Sequence, residues 1–203
     1  MNRVITSIAV SFVFAFLVGG ANAAQEWKID KDHSALRFSV KHIVTPVVGG
    51  FDEFTGMIRF DPNDLENSSI DITVNVSSIN TGIKQRDDHL RSADFFEAEK
   101  YPEMRFVSKK ITDLKNNRYE ANGKMTIKQV TKNLALIFTA TGEADHPSPK
   151  MECTVVGGLV GQTSLKRLDY QVGNGQFFQM GIVGDEVSIE LFVEMLRPKA
   201  DCK

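Results

Sequence analysis

From Ser34 onward the chain is written mostly in period two. Leu36, Phe38, Val40 and His42 fall on one side of an extended segment, with Arg37, Ser39 and Lys41 on the other. That alternation marks a strand with one buried and one wet face. Phe54, Gly56, Ile58 and Phe60 repeat it before an Asp61-Pro62-Asn63-Asp64 turn, and Ile70, Ile72, Val74 and Val76 repeat it again. Met104, Phe106 and Ser108 form the next inner row. Met125 and Ile127 follow after an Asn116-Asn117 turn, then Leu134, Leu136, Phe138 and Ala140. Residues 151–162 read as a strand in which Gly157-Gly158 is the place for a bulge or bend. The last strand is the clearest, with Val187, Ile189, Leu191, Val193 and Met195 set against Glu186, Ser188, Glu190 and Glu194. Residues 163–184 give no clear element.

One stretch breaks this rhythm. Residues 84–92 mix both charge signs around a single Leu, and Asp94 with Glu97 three positions on has the form of a capping box. This predicts a short helix ending near Lys100. Pro102 disfavours helix at Tyr101, so the next strand starts at Met104. The insert reads as a compact helical crossover over one end of a β structure, with Phe95 and Phe96 pointed inward; a solvated loop with a hydrophobic anchor is the alternative. About eight one-face-apolar strands around one crossover predict an all-β fold, an antiparallel eight-stranded barrel, with a two-sheet sandwich as second choice. Gly56, Ser108 and Ala140 on the inner faces leave room for a cavity.

The beginning of the chain bears on its compartment. A basic Met1-Asn2-Arg3, an apolar run from Val4 to Val18 and Ala21-Asn22-Ala23 have the form of a cleavable export signal over residues 1–23. The expected product is one periplasmic domain of residues 24–203. Lys and Arg number 24 against 26 Asp and Glu, interspersed, which excludes a nucleic-acid footprint and gives no general attraction to anionic membranes. Contact with a membrane or membrane proteins would be transient, and no pattern selects an oligomeric state. Export favours pairing of Cys153 with Cys202 if the last two long strands are neighbours and the tail folds back. A buried, unpaired Cys153 is the alternative.

Catalytic signatures are weak. Asp32-His33-Ser34 spells a triad in order, but neighbouring strand residues point to opposite faces and cannot form a relay. No nucleophile elbow, phosphate-binding glycine loop or haem-attachment motif is present, and His33, His42, His89 and His146 have no metal-ligand spacing. The expectation is a non-enzymatic protein without cofactor or metal: a carrier, or a structural or stress-related exported barrel with a filled interior.

The order of motifs resembles the YceI-like family. It runs through Asp32-His33-Ser34, Phe38 and Lys41-His42, then Gly50-Phe51 and Phe54-Thr55-Gly56. Ser78-Ile79-Asn80-Thr81, Arg86-Asp87, His89-Leu90-Arg91-Ser92, Asp94-Phe95-Phe96 and Tyr101-Pro102 match its central signature. The segments 123–128 and 184–187 also fit. Gln129 and Gln171 depart from the pattern, each standing where the family usually has Gly. The resemblance implies a lipocalin-like barrel whose apolar tunnel holds a long isoprenoid chain, such as a polyprenyl chain or a quinone like ubiquinone, or a fatty-acid derivative. Strands of about ten residues span roughly 33 Å, and each buried CH₂ contributes about 0.8 kcal/mol, which suits a long chain. Candidate ligand contacts are Phe38, Val40, Phe54, Val74, Phe106, Met125, Phe138 and Leu191, each either core or lining. Phe95 and Phe96 would form one wall. His42 is either a head-group contact or a structural histidine, and Arg86, Asp87 and Asp88 are expected to hold the crossover by mutual salt bridges.

Overall fold

The computed structural model describes residues 24–200 and Cys202. The expected export signal, residues 1–23, lies outside the described residues. Ten strands and two helices follow in order: β1 (Glu26–His42), β2 (Thr45–Phe51), β3 (Phe54–Arg59), β4 (Ser69–Asn75), β5 (Ile79–Asn80), α1 (Lys84–Arg91), β6 (Glu103–Lys115), β7 (Arg118–Ile127), β8 (Val130–Asp145), β9 (Thr154–Lys166), α2 (Gln176–Gln179) and β10 (Val183–Pro198).

Eight of the strands close a ring, in the order β10-β9-β8-β7-β6-β4-β3-β1 with β1 returning to β10, all antiparallel. Closure satisfies the backbone groups that open sheet edges would leave bare. β2 lies outside the ring. It folds back along the second half of β1, from His42↔Thr45 to Leu36↔Phe51, and the short β5 pairs with its far end. β1 therefore changes partner along its length. It pairs with β3 only through Glu26↔Arg59, Trp27↔Ile58 and Lys28↔Met57. Between Asp30 and Ala35 it also bulges away from β10, leaving residues 31–34 opposite Val193.

The inner rows read from the sequence are the buried rows: Ile70, Ile72, Val74 and Val76, then Met104 and Phe106, then Leu136 and Phe138. β6 changes phase at a bulge between Ser108 and Lys110, so the next buried residue is Ile111. Across the β8–β9 ladder the bulge lies in β8 between Ala140 and Gly142, and Gly158 faces it. A side chain at Gly158 would collide with Thr141, and one at Gly157 would press on the Trp27 ring.

The helix sits one segment earlier than the capping box predicts. α1 runs Lys84–Arg91, and residues 92–100 form successive turns, with Glu97 at φ 54°. These turns fold back onto the last carbonyls of α1, which a helix end otherwise leaves unpaired. The Phe96 N–H donates to the Leu90 carbonyl (3.1 Å) and the Ala98 N–H to that of Arg91 (2.9 Å). Asp94 caps nothing; its carboxylate meets His89 Nε2 at 3.0 Å. The expected mutual salt bridges of Arg86, Asp87 and Asp88 are replaced as well. Arg86 and the buried Asp87 both converge on Thr81, while Asp88 pairs with Lys84 and Arg91.

Away from the crossover, the barrel is filled. Phe60 packs edge-on against Tyr119 and Phe138, at 4.9 and 5.4 Å between ring centroids. The Trp27 indole donates to the Phe60 carbonyl at 3.1 Å. Cys153 and Cys202 are joined by a disulfide with 5.5 Å between their Cα atoms, and the Lys199 N–H donates to the Cys153 carbonyl. In the chain-entropy account, a loop of this size stabilises by about 4 kcal/mol.

A hydrocarbon-walled cavity as the candidate functional site

Towards the crossover end the interior is open. Free space of about 1140 Å³, counting its opening to solvent, lies between the walls, and about 150 Å³ of it admits the centre of a water molecule. β1 contributes Leu36, Phe38 and Val40, and β10 contributes Val187, Ile189 and Leu191 directly across the ladder. Val74, Phe106 and Met125 add a second side, and Phe95, Phe96 and Leu90 descend from the crossover.

Among the described residues, only Arg37, Thr163 and Arg167 are polar on this wall, and the surface the cavity presents is almost wholly carbon. The reason is visible in each case. The Arg37 guanidinium lies over the Phe192 ring at 5.9 Å, and Thr163 Oγ1 donates to the Ala135 carbonyl at 2.8 Å. Arg167 is buried and gives its N–H groups to three carbonyls, those of Gly184 (2.7 Å), Val172 (2.8 Å) and Val183 (3.3 Å). Burial pushes its guanidinium below the usual arginine range, and the charge of Asp185 opposes this. A polar group inside the cavity thus finds no ready partner, whereas hydrocarbon meets dispersion contacts on all sides.

Of the candidate contacts named from the sequence, the fold brings Phe38, Val40, Val74, Phe95, Phe96, Phe106, Met125 and Leu191 together on this wall. Three candidates lie elsewhere. Phe138 belongs to the aromatic packing beside Phe60, and Phe54 is buried core off the wall. His42 ends β1 beyond Val40, pairing with Thr45 and Val183. Phe51, Ile79, Leu90, Val172 and Val183 line the cavity without having been anticipated, because they come from segments with no alternation to read.

The Asp32-His33-Ser34 stretch forms the bulge of β1 and makes no relay. Ser34 Oγ exchanges hydrogen bonds with the Glu194 backbone (3.0 and 3.1 Å), while His33 Nδ1 meets Asp30 Oδ2 at 2.9 Å and Glu194 Oε1 at 3.8 Å. The hydrogen bond to Asp30 and the nearby carboxylate charges raise the His33 pKa above its usual 6.5, and the same bond lowers that of Asp30 below 3.8. The pair's contribution to stability is fully present below the ordinary histidine pKa and fades as pH rises through the raised one. On the acid side it fades as pH falls through the lowered Asp30 value. An NMR titration is expected to place His33 above an ordinary histidine, with Asp30→Asn bringing it back down. An unshifted midpoint in the unmutated protein would contradict the pairing.

These features define a closed antiparallel barrel with a hydrocarbon-walled cavity beneath a helical crossover. The chain belongs to the YceI-like family: the family model for the YceI-like domain matches residues 27–195. It is 30% identical over 194 residues to a UPF0312 protein of Shewanella sp. (strain MR-4), covering 91% of this chain and 97% of the relative. Burkholderia cenocepacia BcnA has a similar structure (TM-score 0.72, 28% identity, 83% of this chain and 99% of that one). A polyisoprenoid binding domain from Saccharophagus degradans, implicated in plant cell wall breakdown, shares the fold at a TM-score of 0.63 and 14% identity, over 85% and 98% of the two chains.

The two departures from the family pattern meet in space. Gln171 has φ 59°, a left-handed conformation that favours glycine. Its side-chain oxygen accepts from Gln129 Nε2 at 3.3 Å, and its carbonyl accepts from Lys128 Nζ at 3.1 Å. These two bonds help to hold a strained backbone beside Phe95, whose own carbonyl also accepts from Lys128.

Proposed function

We propose that this protein is an exported, periplasmic carrier or store for a long-chain isoprenoid lipid, an isoprenoid quinone such as ubiquinone or a polyprenyl chain, and that it catalyses no reaction. The tail lies in the barrel cavity and the head group stays outside it. The observation that carries this reading is the wall: its surface is almost wholly carbon, the polar groups of Thr163 and Arg167 are bonded to backbone carbonyls, and the exposed Arg37 sets its guanidinium over the Phe192 ring. An apolar cavity left unfilled weakens a protein, and a hydrocarbon tail restores the missing contacts. The name of the Saccharophagus degradans domain, a structural neighbour, points to the same ligand class. The ligand contacts are Phe38, Val40, Val74, Phe95, Phe96, Phe106, Met125 and Leu191.

The test is native mass spectrometry of protein purified from its own host, followed by solvent extraction of what it holds. The expected result is a mass above that of the chain alone and a prenyl lipid in the extract. Chain mass alone, together with no uptake of prenyl quinones in vitro, would overturn the carrier reading. A fatty-acid derivative in the extract would keep the carrier and change the cargo.

A further inference from the structure

The overall balance of charge hides a local asymmetry at the crossover end. From Arg37 to Phe51 the chain carries Arg37, Lys41 and His42 and no carboxylate, and from Val172 to Gly184 it carries no charge at all. A quarter of the whole chain is charged, so neither run is ordinary surface. The fold ties the two together: the Ile43 N–H donates to the Ile182 carbonyl at 2.9 Å, and His42 pairs with Val183.

Both runs hold large apolar side chains out into water. Val44 is 85% exposed and Met180 61%, with Ile43, Val48 and Phe178 also exposed. Ile43 and Val44 form the two-residue tip of the β1–β2 hairpin, and Ile43 has φ 51°. Glycine or asparagine suits such a position, and a β-branched residue there is strained. The tip thus combines backbone strain with exposed hydrocarbon, where Asn-Gly would turn the chain without either. The first carboxylates beyond the uncharged run are already answered. Asp185 accepts from the Leu168 N–H at 2.9 Å, and Glu186 stands opposite Lys166.

We propose that this end of the barrel docks on an anionic lipid surface. Ile43, Val44, Phe178 and Met180 enter the head-group layer, and Lys41 lies against the phosphates. Apolar side chains beside basic runs that carry no carboxylate of their own are the chemistry of interfacial binding, and the crossover's Asp94 is held by His89, whose ring meets Phe177. No helix among the described residues is long and apolar enough to cross a membrane, and docking needs none. The same two runs supply Val40, Val172 and Val183 to the cavity wall, so a docked barrel brings its cavity beside the source of a hydrocarbon cargo. In that purpose the inference rests on the carrier reading.

The experiment is co-sedimentation of the processed protein with vesicles of phosphatidylglycerol and phosphatidylcholine, and with phosphatidylcholine alone. Binding is expected to the anionic vesicles, to weaken with added salt, and to fall by roughly tenfold or more in Val44→Glu and in Met180→Glu. Both positions are exposed, so the melting temperatures of the variants should match the parent and their cargo should stay. No sedimentation with either vesicle, or unchanged binding in both variants, would overturn the docking. So would a self-associated form that Val44→Glu dissociates without any vesicle binding, since the patch would then cover a second copy. Extraction of the same samples separates the two claims: docking lost with cargo kept counts against docking alone, and docking kept without cargo counts against the carrier.

Discussion

Phe106→Asp is expected to empty the barrel or to prevent its folding, while Lys109→Asp, three residues along the same strand, does neither. Phe106 is buried on the cavity wall, paired across its ladders with Ile72 and Met125. Gly123 makes room for its ring, because a Cβ there would stand 2.8 Å from it. Losing a buried Phe costs about 3–5 kcal/mol, and the new carboxylate would face hydrocarbon with no partner. Together these approach the whole stability of a typical domain, about 5–15 kcal/mol. Lys109 is exposed at the bulge between Ser108 and Lys110, where the ladder is already interrupted. Its replacement should stay within about 0.5 kcal/mol. Thermal melting and lipid extraction read both variants, and Phe106→Leu should fold with reduced cargo. Equal effects of Phe106→Asp and Lys109→Asp would undo the assignment of faces on β6.

Arg167→Met is expected to lower stability by about 3–5 kcal/mol, a fall in melting temperature of roughly 10 °C for a domain of this size. The side chain holds the carbonyls of Val172, Val183 and Gly184, so one guanidinium links the segment after β9 to the start of β10. Methionine keeps much of the volume but leaves those carbonyls without their donor. Arg167→Lys should recover only part, because an ammonium lacks the planar fork that spans three acceptors. A melting temperature for Arg167→Met within a degree or two of the parent would remove this residue as the brace of the cavity's end.

Inside and outside were legible in the sequence wherever side chains alternate, as in the Ile70 to Val76 row, because one wet face and one dry face impose period two on the chain. β2 carried no such signal: Thr45-Pro46-Val47-Val48-Gly49-Gly50 pairs along the edge of β1 beyond the reach of β3 and shows no alternation of apolar and polar residues. The capping box at Asp94 and Glu97 was a local preference that tertiary structure overrode. Phe95 and Phe96 both reach the cavity, and the turns that bring them there also satisfy the end of α1. Period two also says nothing of height along the barrel. Phe38 and Phe138 are alike in pattern, yet one lines the cavity and the other packs against Phe60, because the stagger of eight strands decides which residues are level. Arg167 carried no mark of its role in the sequence; its burial follows from three carbonyls that no sequence pattern displays.

The change of partner along β1 divides one edge of this strand between two neighbours. β9 and β10 are paired from Glu186↔Lys166 to Pro198↔Thr154, whereas β1 and β3 share only Glu26↔Arg59, Trp27↔Ile58 and Lys28↔Met57. Beyond Lys28 the two strands diverge, and a second cleft lies there, bordered by Leu36 and Phe51, which also line the cavity. The three β1–β3 pairs are the shortest direct ladder in the ring, but β2 takes over along the same edge of β1, from Leu36↔Phe51 to His42↔Thr45. β2 and β3 follow one another along the edge of β1 that faces away from β10, and the β1–β2 hairpin carries the exposed tip at its far end. The wall on that side is thus two short strands in line, β2 and then β3, and Phe51 at the end of the first lines the cavity.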